Sequence, residues 1–228
     1  MTTSTLFSSL PACSETSAMP ASFPFLPRRP ITGRTAIWAF LLAVGLVCPL
    51  TLFIFSLPLP SLAGEVAARQ ARFFDYVLHP FSLFFKAVII VPILEEVCYR
   101  GSVLQLLRRY TSTATAVFIS TAFFAITHLG QGWGAMVNAF LMGLVLAALA
   151  VRTGSLLTAI ICHAAFNFSW LFLIGPAFGI TAMAVESAPA SLTAAQPYPL
   201  WWIGISMGLV LAAGVMLIKF SAKPISRG

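Results

Sequence analysis

Val91-Pro92-Ile93-Leu94-Glu95-Glu96-Val97-Cys98-Tyr99-Arg100-Gly101 sets two carboxylates and a guanidinium inside a stretch that is otherwise apolar from about Phe81 to Leu107. A charge near the centre of a bilayer costs about 2.5 to 3.5 kcal/mol on insertion scales, so three left alone would cost on the order of 7 to 10 kcal/mol. Such groups persist where they pair or where they carry out chemistry. On a helix Glu96 and Arg100 are four residues apart and share a face. Glu95 lies about 100° round and stays clear of that arginine. The spacing predicts one braced carboxylate and one free one.

The surrounding chain explains why those charges are so conspicuous. Of 228 residues, 59% are hydrophobic and 8% charged, with a mean hydropathy of +0.95, whereas a soluble domain carries about 25% charge. This is the composition of a polytopic membrane protein with one helical bundle. The net charge of +7 does not point to nucleic acid, because the basic residues sit at the ends of apolar segments rather than in an aromatic-rich patch. Cys13, Cys48, Cys98 and Cys162 have no paired short spacing, so neither a disulfide framework nor a zinc ribbon is indicated.

Residues 1–34 are rich in Ser, Thr, Pro and Ala and are expected to form a disordered cytoplasmic tail. Residues 35–80 hold a first span, about Thr35 to Leu57, stopped by Pro58 and Pro60, and then an interfacial helix. Residues 81–174 form the candidate core of four spans, about Phe81–Leu107, Ser112–His128, Trp133–Val151 and Ser155–Ile174. Residues 175–228 are a loop followed by a last span, about Leu200–Phe220. Six spans with both termini in the cytoplasm put Arg28, Arg29, Arg34, Arg108, Arg109, Arg152, Lys219, Lys223 and Arg227 inside. That leaves mainly Arg69 and Arg72 outside, as the positive-inside rule asks. The expected class is therefore an all-α, multi-pass integral membrane protein of about six transmembrane helices with a four-helix core.

Polar groups recur in three of the core spans: Glu95, Glu96 and Arg100; then Phe124 and His128; then His163 and Asn167, which project from one helical face. Each must turn to the bundle interior to escape lipid, so they can meet. Together they suit hydrolysis of an amide. A carboxylate in an apolar pocket is poised as general base for water, a histidine can share that water, and a second histidine with an amide can donate to a developing oxyanion. Ser102 and Ser169 have no partnered base by spacing, and Cys98 fits packing as well as chemistry. The bland reading of Glu96 and Arg100 is a structural ion pair, and of the glycines at 130, 132, 134 and 143 a turn and close helix packing.

In that order, Glu95-Glu96-x-x-x-Arg100, Phe124-x-x-x-His128 and His163-x-x-x-Asn167 resemble the CAAX protease and bacteriocin-processing family (CPBP, also called Abi) of glutamic intramembrane endopeptidases, over about Phe81 to Ile174. The resemblance implies that Glu95 and His128 activate the attacking water, that His163 and Asn167 form the oxyanion hole, and that Glu96 and Arg100 brace the first core helix. It implies a substrate that is a membrane-associated protein or peptide, cut near a terminus in CAAX-type, sorting-tag or peptide processing. The lipid bilayer is the other partner, with no nucleic acid, and the setting is a bacterial inner membrane. No cofactor is required on this reading; were a divalent metal such as zinc bound, Glu95, His128 and His163 would be its ligands. Two rivals come from other classes. A proton-coupled transporter also buries Glu, His and Arg in spans, but would show inverted repeats, and the sequence has no such symmetry. A non-enzymatic immunity or scaffold protein of the same family would have no need of every candidate catalytic residue.

Overall fold

Helices account for nearly all of the described part of the computed structural model, which comprises residues 30–60, 78–174 and 200–221. They are α1 (Gly33–Ser56), α2 (residues 80–110), α3 (Thr113–Ile126), α4 (Trp133–Thr153), α5 (residues 156–174) and α6 (Leu200–Ser221). No strand occurs among the described residues. Each helix lies where hydropathy predicts one. The expected tail, most of the interfacial helix, the loop after Ile174 and the basic C-terminus fall at 1–29, 61–77, 175–199 and 222–228, outside the described residues.

Local chemistry sets the ends. Thr32 caps α1 by accepting from the Thr35 N–H at 3.2 Å, and Ser112 caps α3 by accepting from the Thr115 N–H at 3.2 Å. Gly154, at φ 63°, closes α4 in the left-handed conformation that suits a helix C-terminus. Among the described residues, three helices are long and apolar enough to cross a membrane: Gly33–Ile54, Trp133–Thr153 and Trp201–Lys219. The 14 residues of α3 rise only about 21 Å, short of a hydrocarbon core of about 30 Å. Three of the six expected spans thus have the length and apolarity to cross.

The main core joins α1 to α4, α5 and α6. Ala39, Ala43, Val47 and Cys48 pack with Met142, Leu146, Ala159, Cys162, Ala213 and Leu217. At Gly45 an added Cβ would stand 3.0 Å from the Ser206 carbonyl oxygen and 3.0 Å from Leu209 Cβ. A small residue there is what lets α1 and α6 approach backbone to backbone, as membrane helices do. Two smaller clusters, Leu104 with Ala116 and Ala147, and Phe124 with Ala125 and Ala139, tie α2, α3 and α4 together. The polar residues lie between α2, α3, α4 and α5.

Candidate active site

The acidic helix is not a plain α-helix. Within α2 the segments Phe84–Ile90 and Val97–Val103 are π-helical, and they flank the α-helical Val91–Glu96 that carries both carboxylates. Wider turns leave some carbonyls without their usual α-helical partners, and side chains bond two of them. The Ser102 hydroxyl donates to the Val97 carbonyl at 3.0 Å and the Gln105 amide to the Arg100 carbonyl at 3.1 Å. π-Turns of this kind are frequent at functional sites.

Glu96 is the hub. Its side chain is fully buried, and Oε1 accepts from Arg100 Nη1 at 2.8 Å and from His163 Nδ1 at 2.9 Å. A carboxylate paired with arginine can only accept, so His163 donates through Nδ1, and in the neutral imidazole Nε2 is left as an acceptor. That Nε2 faces Glu95 Oε2 at 3.6 Å, and the Glu95 side chain is 25% exposed. The separation is too long for a direct hydrogen bond. One buried and one accessible carboxylate therefore bracket a single imidazole.

Arg100 is buried as completely as Glu96. Its Nη2 donates to the Gly143 carbonyl of α4 at 3.1 Å, and its Cζ lies 4.4 Å from the centre of the Phe124 ring. Phe124 also touches Tyr99, His128 and His163, at centroid separations of 5.2, 4.7 and 5.8 Å. One aromatic ring thus contacts the guanidinium and both histidines. Nothing in the four-residue spacing of Phe124 and His128 showed that the ring would be the common surface.

His128 follows the last turn of α3 and is half-buried. Its Nδ1 donates to the Phe124 carbonyl at 2.9 Å, which in the neutral ring leaves Nε2 as an acceptor. No direct hydrogen bond joins His128 to Glu95 among the described residues; the imidazole beside Glu95 is His163. Asn167, one turn beyond His163 on α5, donates from Nδ2 to the Ala87 carbonyl of α2 at 2.9 Å. One amide hydrogen remains. His163 and Asn167 therefore both engage α2, at separate points along it.

Gly143 is the position that spacing alone would undervalue. A Cβ there would stand 2.9 Å from Thr121 Cγ2, 3.1 Å from Arg100 Nη2 and 3.2 Å from Phe124 Cδ1. The close packing expected of it is what admits the arginine. As for a metal, no group of three His, Cys, Asp or Glu side chains among the described residues could hold one. His163 and His128 both bond through Nδ1, which leaves Nε2 as the free ring nitrogen of each.

No curated protein and no solved structure matches the chain. Residues 77–169 match the family model described as type II CAAX prenyl endopeptidase Rce1-like. That segment begins just before α2 and ends within α5, so it encloses all six polar residues of the site. A buried Glu96–Arg100 pair, a histidine held between two glutamates, and an asparagine one turn on thus lie within the segment that matches the model of the Rce1-like CAAX prenyl endopeptidases.

Proposed function

We propose that the chain is an intramembrane endopeptidase that hydrolyses a peptide bond near the terminus of a membrane-associated protein or peptide, with Glu95 as the base. The observation that carries this reading is the line Glu95, His163, Glu96. Glu95 Oε2 and His163 Nε2 stand 3.6 Å apart as two acceptors that cannot bond each other. A water set off that line, about 2.8 Å from each atom, can donate to both.

The reaction then balances without a covalent enzyme intermediate. Water oxygen attacks the scissile carbonyl carbon while one of its protons passes to the Glu95–His163 pair, and the carbonyl π electrons move to oxygen. The oxyanion is met by the remaining Asn167 N–H and, once His163 holds a proton on Nε2, by that group. As the C–N bond breaks, the proton passes to the leaving nitrogen. The family resemblance gives His128 the place of the water's second acceptor, which on this geometry His163 fills, since a water has two O–H groups to donate; His128 stands against the same Phe124 ring. Glu96 and Arg100 hold the tautomer and the helix. Six membrane-embedded helices with both termini cytoplasmic, in a bacterial inner membrane, complete the reading; it is supported by the distribution of basic residues.

The test is comparative proteomics of cells expressing the wild type or Glu95→Gln at matched levels. A discrete set of membrane-associated proteins that keep a terminal segment only in the variant supports proteolysis and defines the substrate class. Unchanged termini across the membrane proteome overturn it.

A further inference from the structure

Pro92 removes a backbone donor four residues before Glu96. In a π-turn the N–H of residue i bonds the carbonyl of i−5, and the Val91 N–H does this with Lys86. The next donor in that register would be residue 92 and its acceptor Ala87, but proline has no N–H. The alternative α-helical donor to Ala87 is the Val91 N–H, already given to Lys86. The Ala87 carbonyl is thereby stripped of both its helical partners, inside an apolar helix bundle where an unsatisfied carbonyl is costly. Asn167 Nδ2 donates to this oxygen at 2.9 Å.

We infer that Asn167 is a positioning residue, standing in for the N–H that Pro92 lacks and latching α5 to the π-turn that precedes the glutamate pair. The two helices are then joined at two points, Asn167 to Ala87 and His163 to Glu96. Two points fix both the rotation and the depth of α2 against α5, where one would allow either to drift. This sets where Glu95 stands relative to His163. The latch does not depend on the proteolytic reading, because its donor, acceptor and missing N–H are all features of the folded chain.

The test is a double-mutant cycle read by thermal unfolding in detergent, with no substrate. Asn167→Leu keeps the side chain's approximate shape and removes the donor. In the Pro92 chain it is expected to lower the unfolding temperature by about 3 to 6 °C, the size of one buried hydrogen bond in a chain of this length. In a Pro92→Ala background, where residue 92 can donate, the same substitution is expected to lower it by less than half as much. Equal losses in the two backgrounds, or no loss in the Pro92 chain, would overturn the latch. Hydrogen exchange gives an independent reading that needs no change at Pro92: Asn167→Leu is expected to speed exchange several-fold at residues 86–91 while leaving α4 unchanged. Unaltered exchange there overturns the inference equally, and absent proteolysis leaves both measurements intact.

Discussion

Across 67 residues of sequence, Nδ1 of His163 donates to Oε1 of Glu96 at 2.9 Å, and the same oxygen accepts from Arg100. The bond makes a histidine of α5 depend on a carboxylate of α2 for both its orientation and its tautomer.

Exchanging the two adjacent carboxylates for amides should therefore give opposite phenotypes. Glu96→Gln leaves Arg100 buried and unpaired, a loss of about 3 to 5 kcal/mol, and its amide can donate to His163 Nδ1 and reverse the tautomer. Glu95→Gln changes a partly exposed group held by no hydrogen bond closer than the 3.6 Å contact, and should shift stability by less than about 1 kcal/mol. Folded yield from membranes and the unfolding temperature in detergent check this. Equal loss in both variants would contradict the division between brace and base. In a cleavage assay, Glu95→Gln should be the variant that folds and does not cut.

Arg100→Lys keeps the charge and loses the fork. The guanidinium bonds Glu96 with Nη1 and the Gly143 carbonyl with Nη2 while lying over Phe124, and an ammonium cannot reproduce that planar arrangement. A loss of about 2 to 4 kcal/mol is expected from the broken buried bonds. Thermal unfolding close to that of wild type would show that charge alone is required.

Gly143→Ala should destabilise by about 1 to 3 kcal/mol through overpacking, since the new methyl would meet Thr121 Cγ2 at 2.9 Å. Thr121→Ala removes that methyl, so the double variant should recover part of the loss. Additive effects in the two-mutation cycle would mean that the strain lies with Arg100 instead.

Phe124→Leu removes the surface shared by Arg100, Tyr99, His128 and His163. Lost area and aromatic contacts together predict a cost of about 1.5 to 3 kcal/mol. Cleavage should fall further than stability predicts, because both histidines lean on that ring. An assay on the folded fraction separates the two effects; full activity per folded molecule would remove the ring from the site.

Chelation provides the remaining check on the donor geometry. Glu95, His128 and His163 do not form a three-ligand cluster, so prolonged treatment with a zinc chelator should leave both the unfolding temperature and any cleavage unchanged. Restoration of lost activity by zinc would require the three side chains to rearrange.

Much of this molecule is legible in its sequence. Apolar runs bounded by Pro58, Pro60, Ser112, Gly132 and Gly154 mark the helices, because hydrophobic length and helix-ending residues are local properties. The four-residue spacings of Glu96 with Arg100 and of His163 with Asn167 mark shared faces for the same reason, and the first pair forms at 2.8 Å. Periodicity tells which face of a helix is polar. It does not tell how far one helix slides or turns against another, and the π-turns on either side of Glu95 and Glu96 shift that relation again. Only the tertiary structure therefore decided that His163 meets Glu96 and Glu95, that His128 bonds its own helix, and that Asn167 reaches the carbonyl left open by Pro92. Each of these contacts joins or orients groups by packing in three dimensions, where a buried polar atom takes whichever partner the neighbouring helix brings within reach.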